Sequence, residues 1–414
     1  MRIDVNRLGE ALDSRLARAD AALAAQFPGD RSGRQPIHTV YVPADRYRAD
    51  LCRVWGDHAR ETLDEHRAVL DELVTAMGGA ASDLIERARN KLASEPIEDL
   101  RIDFEDGYGA RGDDDEDEHV AAAVAALATS LRDGSAAPFY GIRMKCFEAP
   151  TRRRGVRTLS LFVSGLVEAG APLDGFVVTL PKVSSVDQVE AMVYLCAQLE
   201  DALSLDTGTL RFEIQIETPQ SILGPDGTAL VARMVHASHG RCSALHYGTY
   251  DYSAFCGIAA EFQSMAHPVA DHAKLVMQAA AAGTGVRLSD GSTNVLPVGE
   301  EQAIRAGWQL HLQLVRRSLE RGYYQGWDLH PAQLPTRYAA TIGFYRDGLG
   351  RATDRLRRYV DQTGSAILDE PATARALADF ILRARHCGAV TSDEVHAATG
   401  LSSEQLADLA RPRR

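Results

Sequence analysis

Short runs of β-branched and aromatic residues alternate along the chain with longer stretches rich in Ala, Leu and Arg. The short runs have the length of strands and the longer stretches have helical periodicity, which together are typical of parallel β-α-β units. The pattern predicts strands at residues 38–43, 100–106, 139–145, 175–183, 211–217, 243–251, 293–298 and 323–331. Eight strands separated by helices predict an α/β protein built as a (β/α)8 TIM barrel.

Helical segments extend this predicted barrel. A long segment after the first strand, about 44–99, contains amphipathic helical patterns and predicts a helical insertion. Beyond residue 345 the pattern is helical only. We therefore expect an N-terminal helical segment at 1–37, a catalytic barrel at 38–344 and a C-terminal helical extension at 345–414.

Charged side chains stand at the ends of several predicted strands. They are Asp103, Glu105, Asp106, Arg143, Lys182, Glu217 and Asp251. Active sites of barrels are built at the C-terminal ends of the strands, so these side chains are expected to surround one mouth. A doubly wound sheet would place a ligand only at its switch point and would not gather groups from so many strands.

Two of these acids suggest a metal site. Glu217 ends the string IQIE and Asp251 ends HYGTYD. Carboxylates on neighbouring strand ends suit Mg²⁺ (or Mn²⁺), because hard cations prefer oxygen ligands and keep several waters. A single acid at a strand end is as often solvated or salt-bridged, but the pair together with Arg143 favours a metal-assisted active site.

Composition narrows the class of protein. With 45% hydrophobic and 25% charged residues, the 414-residue chain resembles ordinary globular proteins. The net charge of −12 argues against nucleic acid as the main partner. Six cysteines without a CxxC pair indicate reduced thiols, and no apolar stretch approaches the roughly 20 residues of a membrane span. We expect a cytoplasmic protein that does not contact a membrane.

Six strings in register resemble a known superfamily. They are LRIDFEDGYG, GIRMK, LPKV, IQIETP, HYGTYDYSA and GWDLHPAQ. Together they resemble HpcH/HpaI aldolases, citrate lyase β-subunits, malyl-CoA lyases and malate synthases, over residues 38–385. The resemblance implies a Mg²⁺-dependent carbon–carbon lyase or aldolase, or the reverse condensing enzyme, acting through an enolate on a short α-keto or hydroxy acid. It leaves open whether the second substrate is an acyl-CoA thioester or a free acid or aldehyde.

The resemblance also implies a role for each acid near the predicted mouth. Glu217 and Asp251 match the direct ligands of the metal ion. Acids of the DFED string would hold metal-bound waters, and Glu105 and Asp106 suit that role better than Asp103.

Three further residues match catalytic positions of the superfamily. Arg143 resembles the arginine that grips the keto-acid oxygen, and Lys182 resembles the lysine beside it. Asp369, in GSAILDEPATARALA, resembles an aspartate that reaches into a neighbouring subunit, which implies a homo-oligomer. An acid before Glu-Pro also makes a good helix N-terminus, so a capping role for Asp369 is equally open.

Two other functions are compatible with the sequence. Lys182 could be the Schiff-base nucleophile of a metal-independent aldolase, or the chain could be a non-catalytic barrel that binds a metabolite. The carboxylate pair counts against the first, and the presence of every expected residue type counts against the second.

The arginines at 152–154 could hold coenzyme A phosphates but are more typical of an exposed loop. The acidic run at 113–118 predicts a solvated helix start.

Overall fold

Eight parallel strands form the centre of the molecule. The computed structural model describes residues 3–31, 33–361 and 370–410. The strands are β1 (His38–Pro43), β2 (Asp99–Asp103), β3 (Phe139–Arg143), β4 (Phe176–Leu180), β5 (Arg211–Ile216), β6 (Cys242–Tyr247), β7 (Arg287–Ser289) and β8 (Gly326–Asp328). They lie in the order β7-β6-β5-β4-β3-β2-β1-β8, and each pair is parallel.

The ring of strands closes between β7 and β8. Ser289 forms an isolated parallel bridge with Gln325. The backbone N–H of Asp290 donates to the carbonyl of Gln325 at 2.8 Å, and that of Trp327 donates to the carbonyl of Gly291 at 3.2 Å. The predicted TIM barrel is therefore confirmed.

All predicted strands but one overlap an observed strand. The run at 293–298 is a loop, and β7 lies earlier, at Arg287–Ser289. Pro297 interrupts this run, and the side chains of Val295 and Val298 are exposed, so its apolar residues do not enter the core. The prediction of a strand there is wrong because a short apolar run does not by itself distinguish a strand from a loop.

The sixth strand is shorter than predicted. β6 ends at Tyr247, and a short helix, Thr249–Phe255, begins immediately after Gly248. Asp251 therefore lies in the first turn of a helix and not at a strand end. Because the helix follows β6 directly, Asp251 still belongs to the C-terminal end of the barrel.

Helices surround the barrel and extend it. They are α1 (Val5–Gln26), α2 (Leu51–Glu65), α3 (Arg67–Ala76), α4 (Ala81–Ser94), α5 (Asp113–Arg132), α6 (Arg152–Glu168), α7 (Val186–Ala202), α8 (Pro219–Ile222), α9 (Leu230–Ala237), α10 (Thr249–Phe255), α11 (Pro268–Ala281), α12 (Glu301–Glu320), α13 (Leu334–Val360), α14 (Pro371–His386), α15 (Ser392–Thr399) and α16 (Ser403–Ala410). Helices α2, α3 and α4 form the predicted insertion, and α14, α15 and α16 are the predicted C-terminal helices. Their buried residues share a second apolar core with α12 and α13. Among the described residues no helix is both long and apolar enough to cross a membrane.

Charged side chains occupy part of the barrel interior. Arg101 on β2 pairs with Asp99 on the same strand and with Glu213 on β5, the latter at 2.8 Å. The Tyr41 hydroxyl donates to Glu213 at 3.3 Å, and His246 Nε2 lies 3.0 Å from the same carboxylate. Burial opposes ionisation of Glu213, but Arg101 and His246 hold its pKa below the usual range. Ion pairs therefore stand where barrels usually stack branched apolar side chains.

Candidate active site

The charged residues predicted at strand ends meet at the C-terminal end of the barrel. Asp103 and Arg143 are the last residues of β2 and β3. Glu217 directly follows β5, and Lys182 stands shortly after β4, which ends at Leu180. The parallel strands of a barrel end at one rim, which is why residues so distant in sequence come together.

Asp103 orients the guanidinium of Arg143. Nε and Nη2 of Arg143 donate to the two oxygens of Asp103, each at 2.7 Å. The same carboxylate accepts from the backbone N–H groups of Glu105 at 3.0 Å and Gly107 at 2.9 Å. The remaining nitrogen, Nη1, lies 3.4 Å from Glu105 Oε2, and the Tyr41 ring centroid is 4.9 Å from Arg143 Cζ. Two of the three guanidinium nitrogens of Arg143 are thus held by Asp103, and the third, Nη1, faces the mouth.

The ammonium of Lys182 lies among carboxylates. Its Nζ donates to Glu105 at 2.7 Å and to Asp106 at 2.8 and 3.0 Å, and it lies 3.3 Å from Asp251 Oδ2. Burial works against the protonated form, but Glu217 and Glu105 raise the pKa of Lys182 above its ordinary value. The backbone at Lys182 has a φ of 51°, a conformation that is strained for a residue with a side chain. Lys182 is therefore a protonated cation fixed at the centre of the mouth.

Glu217 is a nearly fully buried carboxylate, with 1% of its surface exposed. Its Oε1 accepts from the backbone N–H of Lys182 and its Oε2 from Gln215 Nε2, both at 2.7 Å. Burial raises the pKa of Glu217 well above the ordinary value, and the charges of Glu105 and Asp251 act in the same direction. A buried acid in this situation is the one that an added cation would stabilise most.

Gly248 makes room for the side chain of Glu217. A Cβ at position 248 would lie 2.6 Å from the Cβ and 3.0 Å from Oε2 of Glu217. We expect Gly248→Ala to displace this carboxylate and to destabilise the protein by about 1–3 kcal/mol, because a packed site does not accept an extra methyl group. Chemical unfolding measures the effect. Gly350→Ala, at a helical site with no atom within 4 Å of the added Cβ, is the matched control. An equal midpoint for wild type and Gly248→Ala would contradict the predicted contact.

The mouth holds more negative than positive charge. Its acids are Asp103, Glu105, Asp106, Glu217 and Asp251, and its cations are Arg143 and Lys182. Burial raises the pKa of Glu105 to about 6, with Arg143 and Lys182 acting against this rise and Asp106 adding to it. Burial also opposes ionisation of Asp106, but a hydrogen bond from Lys182 lowers its pKa. Five carboxylates against two cations leave an excess of three negative charges when every group is ionised.

The donor chemistry of this cluster fits a hard divalent cation. Its free ligand atoms are carboxylate oxygens, and the buried Oε1 of Gln215, beside Glu217, has no hydrogen-bond partner among the described residues. In the arrangement observed, no three His, Cys, Asp or Glu side chains of the described chain are grouped closely enough to hold a metal ion. The ammonium of Lys182 stands between the acids. A metal ion held by Glu217 and Asp251 would have to compete with this ammonium for the Asp251 carboxylate.

The acidic run is paired with Arg154 of the arginine triplet. Helix α5 begins at Asp113, as the run predicts. Glu116, however, is fully buried, and the prediction that the run is solvated is wrong there. Its carboxylate accepts from Thr158 Oγ1 at 2.6 Å and lies 3.0 Å from Lys145 Nζ and 3.1 Å from Arg154 Nε. Arg154 is therefore engaged by acids and is not free to bind a phosphate group.

Three residues of the site were not predicted from the sequence. Gln215 could have been predicted from the strand pattern, because it stands two positions before Glu217 and alternate residues of a strand face the same side. No such pattern pointed to Tyr41, whose ring packs against the guanidinium of Arg143, or to Gly248. Asp369, predicted from the resemblance as a catalytic residue, lies outside the described residues.

The fold and the site define a (β/α)8-barrel protein with an acid-lined mouth at the C-terminal ends of its strands. Within this class the chain belongs to the family described as "Domain of unknown function (DUF6986)", whose model matches residues 16–414. No curated protein matches the chain.

Solved structures share this fold at low sequence identity. Malate synthase of Haloferax volcanii in a lead(II) complex is 16% identical, with 92% of this chain and 89% of that chain covered and a TM-score of 0.50. The same enzyme with glyoxylate is 15% identical, with 92% and 99% covered and a TM-score of 0.50. CitE of Mycobacterium tuberculosis, in complex with magnesium, acetoacetate and coenzyme A, is 16% identical, with 85% and 97% covered and a TM-score of 0.47. The two malate synthase structures thus confirm, at the level of the fold, the resemblance drawn from the sequence strings.

Proposed function

We propose that this protein is a Mg²⁺-dependent enzyme that breaks or forms a carbon–carbon bond through an enolate of a short α-keto or hydroxy acid. The observation that carries the proposal is the convergence of Glu217, Asp251 and Arg143 on one barrel mouth. Enolate chemistry places negative charge on an oxygen next to the reacting carbon, and fixed positive groups at that oxygen lower the barrier. The site offers one such guanidinium and an oxygen-rich place for a cation.

Each residue has a distinct part in this proposal. Glu217 and Asp251 would hold the cation, and a bound Mg²⁺ would supply positive charge beside the substrate oxygen. Arg143, held by Asp103, would direct its Nη1 to the same oxygen. Glu105 would stay near the cation and take part in holding its waters.

The position of Lys182 favours this mechanism over a Schiff base. A Schiff-base lysine must lose its proton to attack a carbonyl, and burial away from acids is what lowers a lysine pKa. Lys182 instead contacts Glu105 and Asp106, and its pKa is raised. In our proposal Lys182 remains protonated and would contribute positive charge at the mouth.

The choice of first substrate follows from the structural neighbour. The malate synthase of Haloferax volcanii was determined with glyoxylate, and it shares the fold of this chain. Glyoxylate and pyruvate are therefore the keto acids to test first. Screening them with acyl-CoA and aldehyde partners for new carbon–carbon bonds would identify the second substrate. The proposal also includes a homo-oligomer in which Asp369 acts on a neighbouring subunit, which the molecular mass in solution would test.

Calorimetric titration with Mg²⁺ and glyoxylate or pyruvate tests the metal site. We expect Mg²⁺ to bind the wild-type protein, keto-acid binding to depend on Mg²⁺, and Glu217→Gln to weaken Mg²⁺ binding at least about tenfold, because it removes one ligand charge. Glu301→Gln, an exposed acid in the first turn of α12, is the matched control and should bind as wild type does. Keto-acid binding without metal would favour a non-catalytic metabolite-binding barrel instead.

A further inference from the structure

A second cavity lies at the opposite end of the barrel from the candidate active site. Its volume is about 680 Å³, which is within the range of small-molecule sites. Segments that precede β1, β7 and β8 line it together with α14, α16 and the first residues of β7. The acids of the mouth, Glu217 and Asp251 included, do not line it.

Arginines dominate the charged lining of this cavity. They are Arg31, Arg287, Arg375, Arg383 and Arg385, with His386 beside them. Two acids, Asp30 and Asp379, also line it. Within the described part of the chain, Arg383 has a carboxylate partner, Asp379 at 2.6 Å, and the other four arginines have none.

Two of the arginines without an acid partner, Arg31 and Arg287, are held by backbone carbonyls. Arg31 donates to the carbonyls of Gly240 and Cys242 at 3.1 and 3.2 Å. Arg287 donates to the carbonyl of Gly33 at 3.2 Å. Such contacts fix the guanidinium groups in position without offsetting their charge. The cavity is therefore an organised cluster of positive charge.

Mutual repulsion within the cluster is visible at Arg287. Burial, and after it the neighbouring charges of Arg383 and Arg31, lower the pKa of Arg287 to about 10. Arg383 is in turn fixed from two sides, by Gln35 Oε1 at 2.7 Å and by the ring of Tyr324, whose centroid is 4.3 Å from its Cζ. An anion entering this cavity would relieve the repulsion and meet donors that are already oriented.

We propose that this cavity binds a small polyanion that carries two or more phosphate or carboxylate groups. The guanidinium group suits both kinds of anion, because its planar pair of N–H donors matches two oxygens at once. Several such groups around one cavity match a ligand with charge at more than one point. This site is separate from the proposed active site, and it does not depend on the proposed function.

Calorimetric titration without divalent metal tests the site, with pyrophosphate as the phosphate probe and citrate as the carboxylate probe. We expect saturable binding of at least one probe, with the stronger probe identifying the anion class. Arg287→Gln should weaken it at least about tenfold, since a charged hydrogen bond is lost. Arg132→Gln is the matched control, because Arg132 is exposed in the last turn of α5, at the same end of the barrel but outside the cavity.

Two further variants keep the result interpretable. Arg375→Gln removes a cation that is partly exposed and has no acid partner among the described residues, so it tests the cluster even where Arg287→Gln folds poorly. Glu217→Gln should leave polyanion binding unchanged, which separates this cavity from the barrel mouth. Absence of saturable binding for both probes, or wild-type affinity in both cavity variants, would overturn the proposal.

Discussion

Replacing Arg143 by Ala should reduce turnover at least about a hundredfold, which corresponds to a loss of at least about 2.7 kcal/mol of transition-state stabilisation. The proposed reaction develops negative charge on a keto-acid oxygen, and Arg143 is the guanidinium that the structure holds at the mouth. Asp103 takes two of its donors at 2.7 Å, so its orientation is set before substrate binds. Steady-state kinetics with the keto acid identified by screening measures the effect on kcat.

A loss of folding must be separated from a loss of catalysis in this variant. Removing Arg143 leaves the buried carboxylate of Asp103 without its ion pair, so the unfolding midpoint has to be measured alongside turnover. Arg143→Lys keeps the charge but cannot donate to both Asp103 oxygens in the same way, and we expect it to be folded yet impaired. Arg153→Ala, at an exposed arginine of α6, should behave as wild type. Turnover of Arg143→Ala within about tenfold of wild type would show that the arginine has no such role.

Replacing Arg101 by Met should lower the free energy of unfolding by about 3–5 kcal/mol, because removal of one partner leaves buried charges uncompensated. Arg101 is 2% exposed and is the ion-pair partner of both Asp99 and Glu213. Methionine has a similar length, so the change removes the charge more than the volume. Chemical unfolding at neutral pH measures the difference.

The matched control for this prediction is an arginine with two acidic partners at the surface. Arg53 pairs with Asp50 and Asp57 at 2.8 and 2.7 Å, and its side chain is 63% exposed. Arg53→Met should change the free energy of unfolding by less than about 1 kcal/mol, because water screens exposed ion pairs. Similar losses for the two arginines would mean that burial does not amplify the interaction of Arg101 with its acids.

The barrel could be predicted because its strands repeat a simple signal. Strands buried on both faces give runs of β-branched and aromatic residues, and HTVYVP at 38–43 coincides with β1. The signal failed at β7, Arg287–Ser289, because its three residues include a single apolar side chain and no β-branched or aromatic residue. The prediction also placed the end of β6 too late, because a run of β-branched and aromatic residues does not show where a strand ends and a short helix begins.

The residues of the candidate site could be predicted from the sequence, but the arrangement of their side chains could not. Strand order alone brings residues such as Arg143 and Glu217 to one rim. That Lys182 would lie between the acids depends on a backbone φ of 51° and on contacts across three loops, which no local pattern encodes. The arginine cavity escaped prediction for a similar reason: Arg31, Arg287 and Arg383 are far apart in sequence and carry no shared motif.

The ion-paired interior of the barrel has a consequence for how such a protein can diverge. Arg101 is the shared cation of Asp99 and Glu213 away from water, so losing it alone would leave buried acids without their ion pair. Apolar side chains inside a barrel can be exchanged one at a time during evolution. Arg101, Asp99 and Glu213, in contrast, can be retained or replaced only together. Descendants that lose the arginine should therefore have lost both acids with it.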